Sequence, residues 1–210
     1  MARCVIFGAA AFDGLLLPIE EKDLLIAADG GVLHCAQIAR TPDVILGDFD
    51  SLGYVPEGAQ VFPVEKDDTD IMLSIRCGLD RGYREFLIYG GMDGPRLDHT
   101  IANFQALSYL QTQNARGYLI GKNQIATVIA RETAVFPASA EGIFSVFCTG
   151  ADADGIFIRG AKYSLEDGKL TGDFPLGVSN HFIGQEVSIC VKNGKLLLIW
   201  DTQNGLPDIR

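Results

Sequence analysis

Short apolar runs alternate with amphipathic helical segments over the first two-thirds of the chain, and this alternation limits the possible folds more than any other feature. Helices are predicted over 32–40, 68–82 and 98–113, the last with Ile101, Phe104 and Leu107 on its apolar stripe. Helices that alternate with strands form parallel sheets, so this part predicts an α/β domain over residues 1–134. The runs that predict strands are 5–7, 24–28, 44–46, 60–64, 86–89, 118–120 and 125–129.

The pattern changes near Arg131, after which no convincing helix follows. Strand-like runs continue at 143–148, 155–159, 186–191 and 195–200. Asn193-Gly194 lies between the last two and is typical of a two-residue β-hairpin. The sequence therefore predicts an all-β second domain over residues 135–210, built as a sandwich.

Composition narrows the classes of partner. The chain has 210 residues, 48% of them hydrophobic, which is enough to bury a core in one large domain or two small ones. A net charge of −10 argues against a nucleic-acid backbone or an anionic membrane surface as partner. It leaves a phosphorylated small molecule open, because a bound metal ion inverts the local charge.

The cysteines predict a reducing compartment. All five stand singly, none forms a Cys-x-x-Cys pair, and several lie in apolar runs. Free thiols in the cytoplasm are the expected state. No secretory signal is expected, because residues 3–8 lead straight into a strand, and no apolar run is long enough to span a bilayer.

The segment Gly47-Asp48-Phe49-Asp50-Ser51 follows a buried strand and presents two carboxylates at i and i+2. Carboxylates this close repel each other unless a cation lies between them. Mg²⁺ is commonly held by one or two carboxylates together with substrate phosphates. An Asx-type turn, in which Asp only starts the loop, is the alternative explanation.

Two further acidic segments precede helices. Asp29-Gly30-Gly31 ends the second strand, where glycines let the backbone approach a ligand, although a tight turn explains them nearly as well. The segment Lys66-Asp67-Asp68-Thr69-Asp70 has three carboxylates. Thr and acidic residues favour a helix N-terminus, yet three carboxylates exceed what one cap needs. We therefore expect part of this cluster to serve a metal site.

The segment from Gly90 to His99 is a glycine-rich loop that leads into a helix, which is a typical anion site. Arg96 adds a planar, permanently charged fork that suits phosphate. If the helix already includes Arg96, then Arg96, His99 and Asn103 share one face. Asp98 has an alternative explanation as the N-cap of this helix.

These segments all follow predicted strands, and ligands of parallel sheets bind beyond the carboxyl ends of the strands. Several carboxylates, one arginine and two glycine pairs are the equipment of phosphoryl-type transfer, where positioning and charge stabilisation do most of the catalysis. The chain has no Walker A sequence and no order of residues that suggests a Ser-His-Asp triad.

Taken together, the motifs resemble those of the thiamine pyrophosphokinase (thiamine diphosphokinase) family. The resemblance runs in order over nearly the whole chain and implies a homodimer that transfers diphosphate from ATP to thiamine, giving thiamine diphosphate and AMP. The matching segments are Ala28-Asp29-Gly30-Gly31, Gly47-Asp48-Phe49-Asp50-Ser51, Asp67-x-Thr69-Asp70, Gly90-Gly91, Arg96-x-Asp98-His99, Asn103, Gly160-Ala161-Lys162-Tyr163-Ser164-Leu165 and Gly177-Val178-Ser179-Asn180.

The resemblance also implies roles for individual residues. Asp48, Asp50 and Asp70 would hold Mg²⁺ on the ATP phosphates, and Arg96, Asp98 and Asp70 would form the reaction site. Ser179 and Asn180 would approach thiamine near the dimer interface. Nucleotide and substrate contacts are expected from a wider set: Asp29, Gly30, Gly90, Gly91, Asn103, Ser179 and Asn180.

Three other functions remain open on the sequence. One is a phosphatase with an Asp-x-Asp nucleophile, although Leu52 stands where that class usually has Thr or Val. Another is a diphosphotransferase for a different alcohol, such as a pterin. The last is a regulatory protein that binds nucleotide without turnover.

Overall fold

A computed structural model describes residues 2–50 and 52–210, so Ser51 of the acidic motif lies outside the described residues. The chain divides into two compact units, Met1–Lys122 and Asn123–Arg210. This division falls earlier than the expected boundary at 134/135. The reason is that the run 125–129, which the alternation assigns to the first domain, pairs antiparallel with a strand near the C-terminus.

The first unit contains a parallel sheet of six strands in the order β6-β5-β1-β2-β3-β4. Residues 4–7, 24–28 and 86–89 of its inner strands are buried throughout, which explains why they read as continuous apolar runs rather than alternating ones. The strands are β1 (Cys4–Phe7), β2 (Leu24–Ala28), β3 (Val44–Gly47), β4 (Gln60–Val61), β5 (Glu85–Tyr89) and β6 (Arg116–Ile120).

Three helices connect these strands: α1 (Val32–Gln37), α2 (Asp70–Asp80) and α3 (Leu97–Thr112). A short 3-10 turn, Asp29–Gly31, leads into α1. The apolar stripe predicted for α3 is wrong at its start, because Ile101 is 52% exposed. Burial begins at Asn103 and continues through Ala106, Leu107 and Leu110.

The second unit consists of two antiparallel sheets, β12-β9-β14-β7 and β11-β10-β13-β8-β15. A 3-10 turn, Thr202–Asn204, follows β14. The strands are β7 (Gln124–Ile129), β8 (Thr133–Phe136), β9 (Ile143–Cys148), β10 (Ala153–Arg159), β11 (Leu165–Leu170), β12 (Asn180–His181), β13 (Val187–Asn193), β14 (Leu196–Asp201) and β15 (Asp208–Ile209).

Aromatic side chains pack between these two sheets. Phe136 on β8 lies edge-on to Trp200 on β14, with ring centroids 5.4 Å apart. Phe182 contacts both Phe136 and Phe144, at 5.2 Å and 4.9 Å. Rings contributed by both sheets to one core define a sandwich. The predicted fold class, an α/β part followed by an all-β sandwich, is confirmed.

The predicted hairpin at Asn193-Gly194 is wrong. β13 pairs with β10 and β8, whereas β14 pairs with β7 and β9. The turn, with Gly194 at φ +88°, therefore passes the chain from one sheet to the other. A turn sequence fixes the local reversal, but packing between sheets decides which partner each strand takes.

All five cysteines are free thiols, as the sequence predicts. Cys4 and Cys35 are buried, and burial raises the pKa of the Cys35 thiol to about 12. Among the described residues, no helix combines the length and the apolar character needed to cross a membrane.

Candidate functional site

A cleft of about 640 Å³ lies in the first unit at the carboxyl ends of the parallel strands. The chain runs from β1 outward to β4 and then returns to place β5 on the other side of β1. This reversal is a topological switch point, where ligands of open parallel sheets bind. The cleft is lined by segments that follow β1, β2, β3, β4 and β5.

Two glycines shape the cleft where β1 and β5 end. The Gly8 amide donates to the Tyr89 carbonyl at 2.8 Å, and the Ala10 amide donates to the Gly90 carbonyl at 2.9 Å. A Cβ on Gly90 would lie 2.3 Å from the Gly8 oxygen, and Gly90 has φ +64°. These positions need glycine because the two backbones approach each other so closely.

Aromatic packing holds the loop that follows β1. Phe7 stacks on Tyr89 with centroids 5.3 Å apart, and Phe12 lies edge-on to Phe7 at 5.1 Å. A ring nitrogen of His34 on α1 lies 2.8 Å from the Ala10 carbonyl oxygen. The loop therefore lies in a fixed position beside the cleft.

The Asp48-Phe49-Asp50 segment turns sharply after β3. Phe49 has φ +59° and is only 3% exposed, so its ring is buried between the two aspartates in sequence. The Asp50 amide donates to Asp48 Oδ1 at 3.4 Å, which is the contact expected of an Asx-type turn. The turn and the metal hypotheses are thus compatible, because the turn itself presents both carboxylates to the cleft.

Asp29 joins these two carboxylates. One carboxylate oxygen from each of Asp29, Asp48 and Asp50 lies within 4.8 Å of the others, which is close enough to share one cation. The two strands that end at Asp29 and Asp48 are neighbours, with Ala28 opposite Leu46. Asp29 was expected only as a nucleotide contact, and the pairing of β2 with β3 explains why it belongs to this cluster. Gly30, beside it, is buried and does not line the cleft.

Lys66 links the cluster to Asp70, the third predicted metal ligand. Its Nζ lies 2.7 Å from Asp48 Oδ2 and 3.1 Å from Asp70 Oδ1. The ammonium lowers the pKa of Asp48, whereas burial raises the pKa of Asp70 despite the same ammonium. Burial opposes the charge of Lys66, but its contacts with both carboxylates prevail and raise its pKa. Sequence reasoning assigned Lys66 no role, although it is the one cation in this acidic segment.

The rest of the acidic segment begins α2. Thr69 is the N-cap, and its Oγ1 accepts from the Met72 amide at 3.2 Å. Asp68 pairs with Arg76, about two turns into the helix, with Nε and Oδ2 2.9 Å apart. Capping and pairing therefore account for Thr69 and Asp68, and Asp67 is exposed and does not line the cleft. Asp70 is the carboxylate of this segment that contacts Lys66.

Arg96 and Asp98 form a two-pronged pair at the start of α3. Arg96 is the N-cap residue in extended conformation, and its Nε and Nη2 lie 2.9 and 2.6 Å from the Asp98 oxygens. Asp98 is therefore in the first turn rather than at the N-cap. The guanidinium lowers the pKa of Asp98 to about 2, so the carboxylate is ionised and is a weak base at neutral pH.

The glycine-rich loop is anchored at two points beneath its surface. Asn103 is 4% exposed, and its Nδ2 donates to the Gly91 carbonyl at 2.8 Å. Asp93, at φ +60°, accepts at Oδ2 from the Lys122 amide at 2.7 Å. Asn103 thus holds the loop from below, and both Asn103 and Gly91 line the cleft.

The predicted thiamine contacts lie in the second unit. The Asn180 side chain is occupied by the Tyr163 backbone, donating to its carbonyl at 2.7 Å and accepting from its amide at 3.0 Å. Ser179 has φ +59° and is exposed, and its amide donates to Ser145 Oγ at 3.1 Å. Asn180 is therefore a buried cross-link that fixes the segment from which Ser179 emerges.

Comparison with protein families finds two matches in chain order. Residues 17–119 match the model described as "Thiamin pyrophosphokinase, catalytic domain". Residues 133–196 match the model described as "Thiamin pyrophosphokinase, vitamin B1 binding domain". Together the two models cover most of the chain, including the cleft-lining segments that follow β2, β3, β4 and β5. A comparison with curated proteins finds no match.

Solved structures share the fold along nearly the whole chain. A thiamine pyrophosphokinase from Bacillus subtilis superposes with a TM-score of 0.80 at 24% identity, over 94% of this chain and 97% of its own. A thiamin pyrophosphokinase from Candida albicans gives 0.74 at 14% identity, over 95% and 88%. The yeast thiamin pyrophosphokinase gives 0.73 at 13%, over 97% and 88%.

Proposed function

The chain belongs to the thiamin pyrophosphokinase family, and from this premise we propose that it transfers diphosphate from ATP to thiamine in a Mg²⁺-dependent reaction. The thiamine hydroxyl oxygen attacks the β-phosphorus of ATP and loses its proton. The bond from that phosphorus to the oxygen bridging the α- and β-phosphates breaks, so that AMP leaves. Pyrophosphorylation of thiamine is the activity of the family; ATP, Mg²⁺ and AMP are our proposal.

The observation that carries the proposal is the convergence of Asp29, Asp48 and Asp50 within 4.8 Å at the switch point of the sheet. Three carboxylates in a small volume suit a hard divalent cation, and Lys66 already supplies positive charge at the edge of the cluster. Mg²⁺ held by these residues, with Asp70 adjacent, would neutralise charge on the phosphates.

The chain's own residues would position the rest of the nucleotide. Gly90 and Gly91 present backbone to the cleft, and a Cβ at either position would collide with the Gly8 backbone or the Leu119 side chain. Arg96 places a guanidinium at the cleft edge, and we assign it to the transferred phosphates. Because its pKa is about 2, Asp98 is better suited to orienting Arg96 than to accepting the thiamine proton.

We further propose a homodimer in which thiamine binds near the interface. Ser179 emerges beside a strip of exposed apolar residues, Phe174, Leu176 and Val178, which are 64%, 56% and 45% exposed. Exposed apolar strips of this kind favour coverage by a partner. The five free thiols suit the reducing cytoplasm, where we place the reaction.

A single assay separates the candidate functions. The protein is incubated with ATP, Mg²⁺ and thiamine, and AMP and thiamine diphosphate are measured. AMP release that requires thiamine supports the proposal. Phosphate release without an acceptor would indicate a phosphatase instead, and binding of ATP without any product would indicate a regulatory protein.

Asp50→Asn tests the metal cluster in the same assay. We expect turnover to fall by at least about 100-fold, because charge stabilisation at the phosphates is a large part of such catalysis. Asp80→Asn makes the same charge change at an exposed position at the end of α2 and should leave turnover unchanged. Normal Mg²⁺-dependent turnover by Asp50→Asn would remove Asp50 from the metal site.

A further inference from the structure

Lys66 occupies a position that the proposed function does not by itself require. Its ammonium lies between two carboxylates of the cleft, 2.7 Å from Asp48 and 3.1 Å from Asp70. Asp48 also belongs to the three-carboxylate cluster that would take the metal ion. The Asp48 carboxylate therefore has two cationic partners to choose between. One is Lys66, which already contacts it, and the other is the divalent ion expected with substrate.

We propose that Lys66 is a resident cation that holds the cleft together without metal and is displaced from Asp48 when the divalent ion binds. Lys66 would thereby act as a positioning residue that lowers the affinity of the nucleotide-free cleft for metal. This inference rests on the proposed function only in taking the acidic cluster as a metal site.

Burial distinguishes this ion pair from ordinary surface pairs. The side chains of Lys66, Asp48 and Asp70 are 14%, 13% and 23% exposed. Three other lysine pairs have both partners at least half exposed: Lys22–Glu20, Lys169–Asp152 and Lys192–Asp167. Water screens those exposed pairs, but it screens the Lys66 contacts far less.

Electrostatics gives the direction of the effect. Without the ammonium, Asp48 and Asp70 would face each other and Asp29 across a poorly solvated cleft, since Asp48 and Asp29 both raise the pKa of Asp70. Removing one positive charge deepens the negative potential at the cluster. It also frees the Asp48 oxygen that the lysine now holds, so a divalent cation should bind more tightly.

Lys66 also comes from a segment outside the regular strands and helices. It lies between β4, which ends at Val61, and the Thr69 cap of α2, in a stretch without regular strand or helix. A long side chain on such a segment exchanges partners without disturbing the sheet. By contrast, the acidic cluster is built on the ends of β2 and β3, which are paired strands.

The test measures Mn²⁺ binding to the nucleotide-free protein by electron paramagnetic resonance. Lys66→Met should bind Mn²⁺ about tenfold more tightly than wild type, or more, because the weakly screened ammonium 2.7 Å from an Asp48 carboxylate oxygen is removed. Lys66→Arg keeps the charge and should stay close to wild type. Lys22→Met removes an exposed lysine outside the cleft and should not change the affinity.

Thermal unfolding in EDTA gives an independent readout. In EDTA, Lys66→Met should unfold at a lower temperature than wild type. In a second measurement with Mn²⁺ and no EDTA, the ion should raise the unfolding temperature of the variant more than that of wild type. If Lys66→Met folds poorly, Lys66→Gln allows the same comparison with a polar side chain. Equal or weaker Mn²⁺ binding by the folded variants would overturn the proposal.

The outcomes for Lys66 and for the proposed function are separable. Thiamine-dependent AMP release together with unchanged Mn²⁺ affinity in Lys66→Met would overturn the role of Lys66 and leave the function intact. Tighter Mn²⁺ binding by Lys66→Met, in a protein that makes no thiamine diphosphate, would support the role of Lys66 and contradict the function.

Discussion

At the scale of single residues, the site depends on backbone positions that accept no side chain. Gly90 combines φ +64° with a Cβ position 2.3 Å from the Gly8 oxygen, and Gly8 meets Gly90 equally closely from the other side. The close approach of these two loops sets the floor of the cleft. The sequence indicates glycines here, but only the pairing of β1 with β5 shows that they meet each other.

Gly90→Ala should therefore impair both stability and nucleotide binding. The left-handed conformation costs a residue with Cβ about 1–2 kcal/mol, and the contact with Gly8 adds to this. Gly172→Ala is the matched control, because nothing lies within 4 Å of its Cβ position and its φ is not positive. Urea unfolding and ATP binding measure the two effects, and a Gly90→Ala protein as stable as Gly172→Ala would contradict the explanation.

At the scale of elements, the sequence predicts the strands and helices of the first unit because each strand is a short apolar run and each helix has helical periodicity. It fails where the answer depends on distant partners. Ile101 fits the helical stripe, but it lies in the exposed first part of α3. Asn193-Gly194 fits a hairpin, but the two strands belong to different sheets. The sequence likewise does not place Asp29 with Asp48 and Asp50, because their proximity depends on the pairing of β2 with β3.

A buried ion pair joins the amino ends of β1 and β2. Its removal tests how much a contact between two elements stabilises the fold. Arg3 donates from its backbone amide to Asp23 Oδ1 at 2.9 Å and from Nε to Oδ2 at 3.2 Å. The Asp23 side chain has no exposed surface. Asp23→Asn should cost about 3–5 kcal/mol of unfolding free energy at pH 7, because a buried guanidinium loses its counter-charge.

The same pair predicts a pH dependence. Burial opposes the charge of Asp23, yet the Arg3 contacts prevail and hold its pKa below the ordinary 3.8. The pair therefore stabilises the fold above that value, and the stabilisation is lost as pH falls through the folded-state pKa. Urea unfolding should show the gap between wild type and Asp23→Asn closing in acid. Asp208→Asn breaks an exposed pair and should change little at any pH.

At the scale of the whole molecule, each unit has its own core and its own spectroscopic signal. The three helices all lie in the first unit, and the single tryptophan, Trp200, is buried in the second. Far-ultraviolet ellipticity at helical wavelengths therefore reports mainly on the first unit. Tryptophan fluorescence reports on the second.

Core substitutions should separate these signals. Phe136→Ala removes a ring that contacts Trp200 and should cost the second unit about 3–5 kcal/mol. The fluorescence midpoint in urea should then fall further than the ellipticity midpoint. Phe86→Ala, in the buried strand β5, should have the opposite order. Equal shifts of both signals in each variant would mean that the chain unfolds as one cooperative body.

Phe49 stands between the two aspartates of the cleft and is almost wholly buried. Its ring anchors the turn from inside. The distance between the Asp48 and Asp50 carboxylates therefore depends on the packing of a buried aromatic ring rather than on the two charges. The volume of this side chain would then determine which cation binds. A smaller side chain in place of Phe49 would let the distance between the two carboxylates vary, so that larger cations could bind. Discrimination between Mg²⁺ and Ca²⁺, which depends on cavity size and rigidity, would in this protein be a property of its hydrophobic interior.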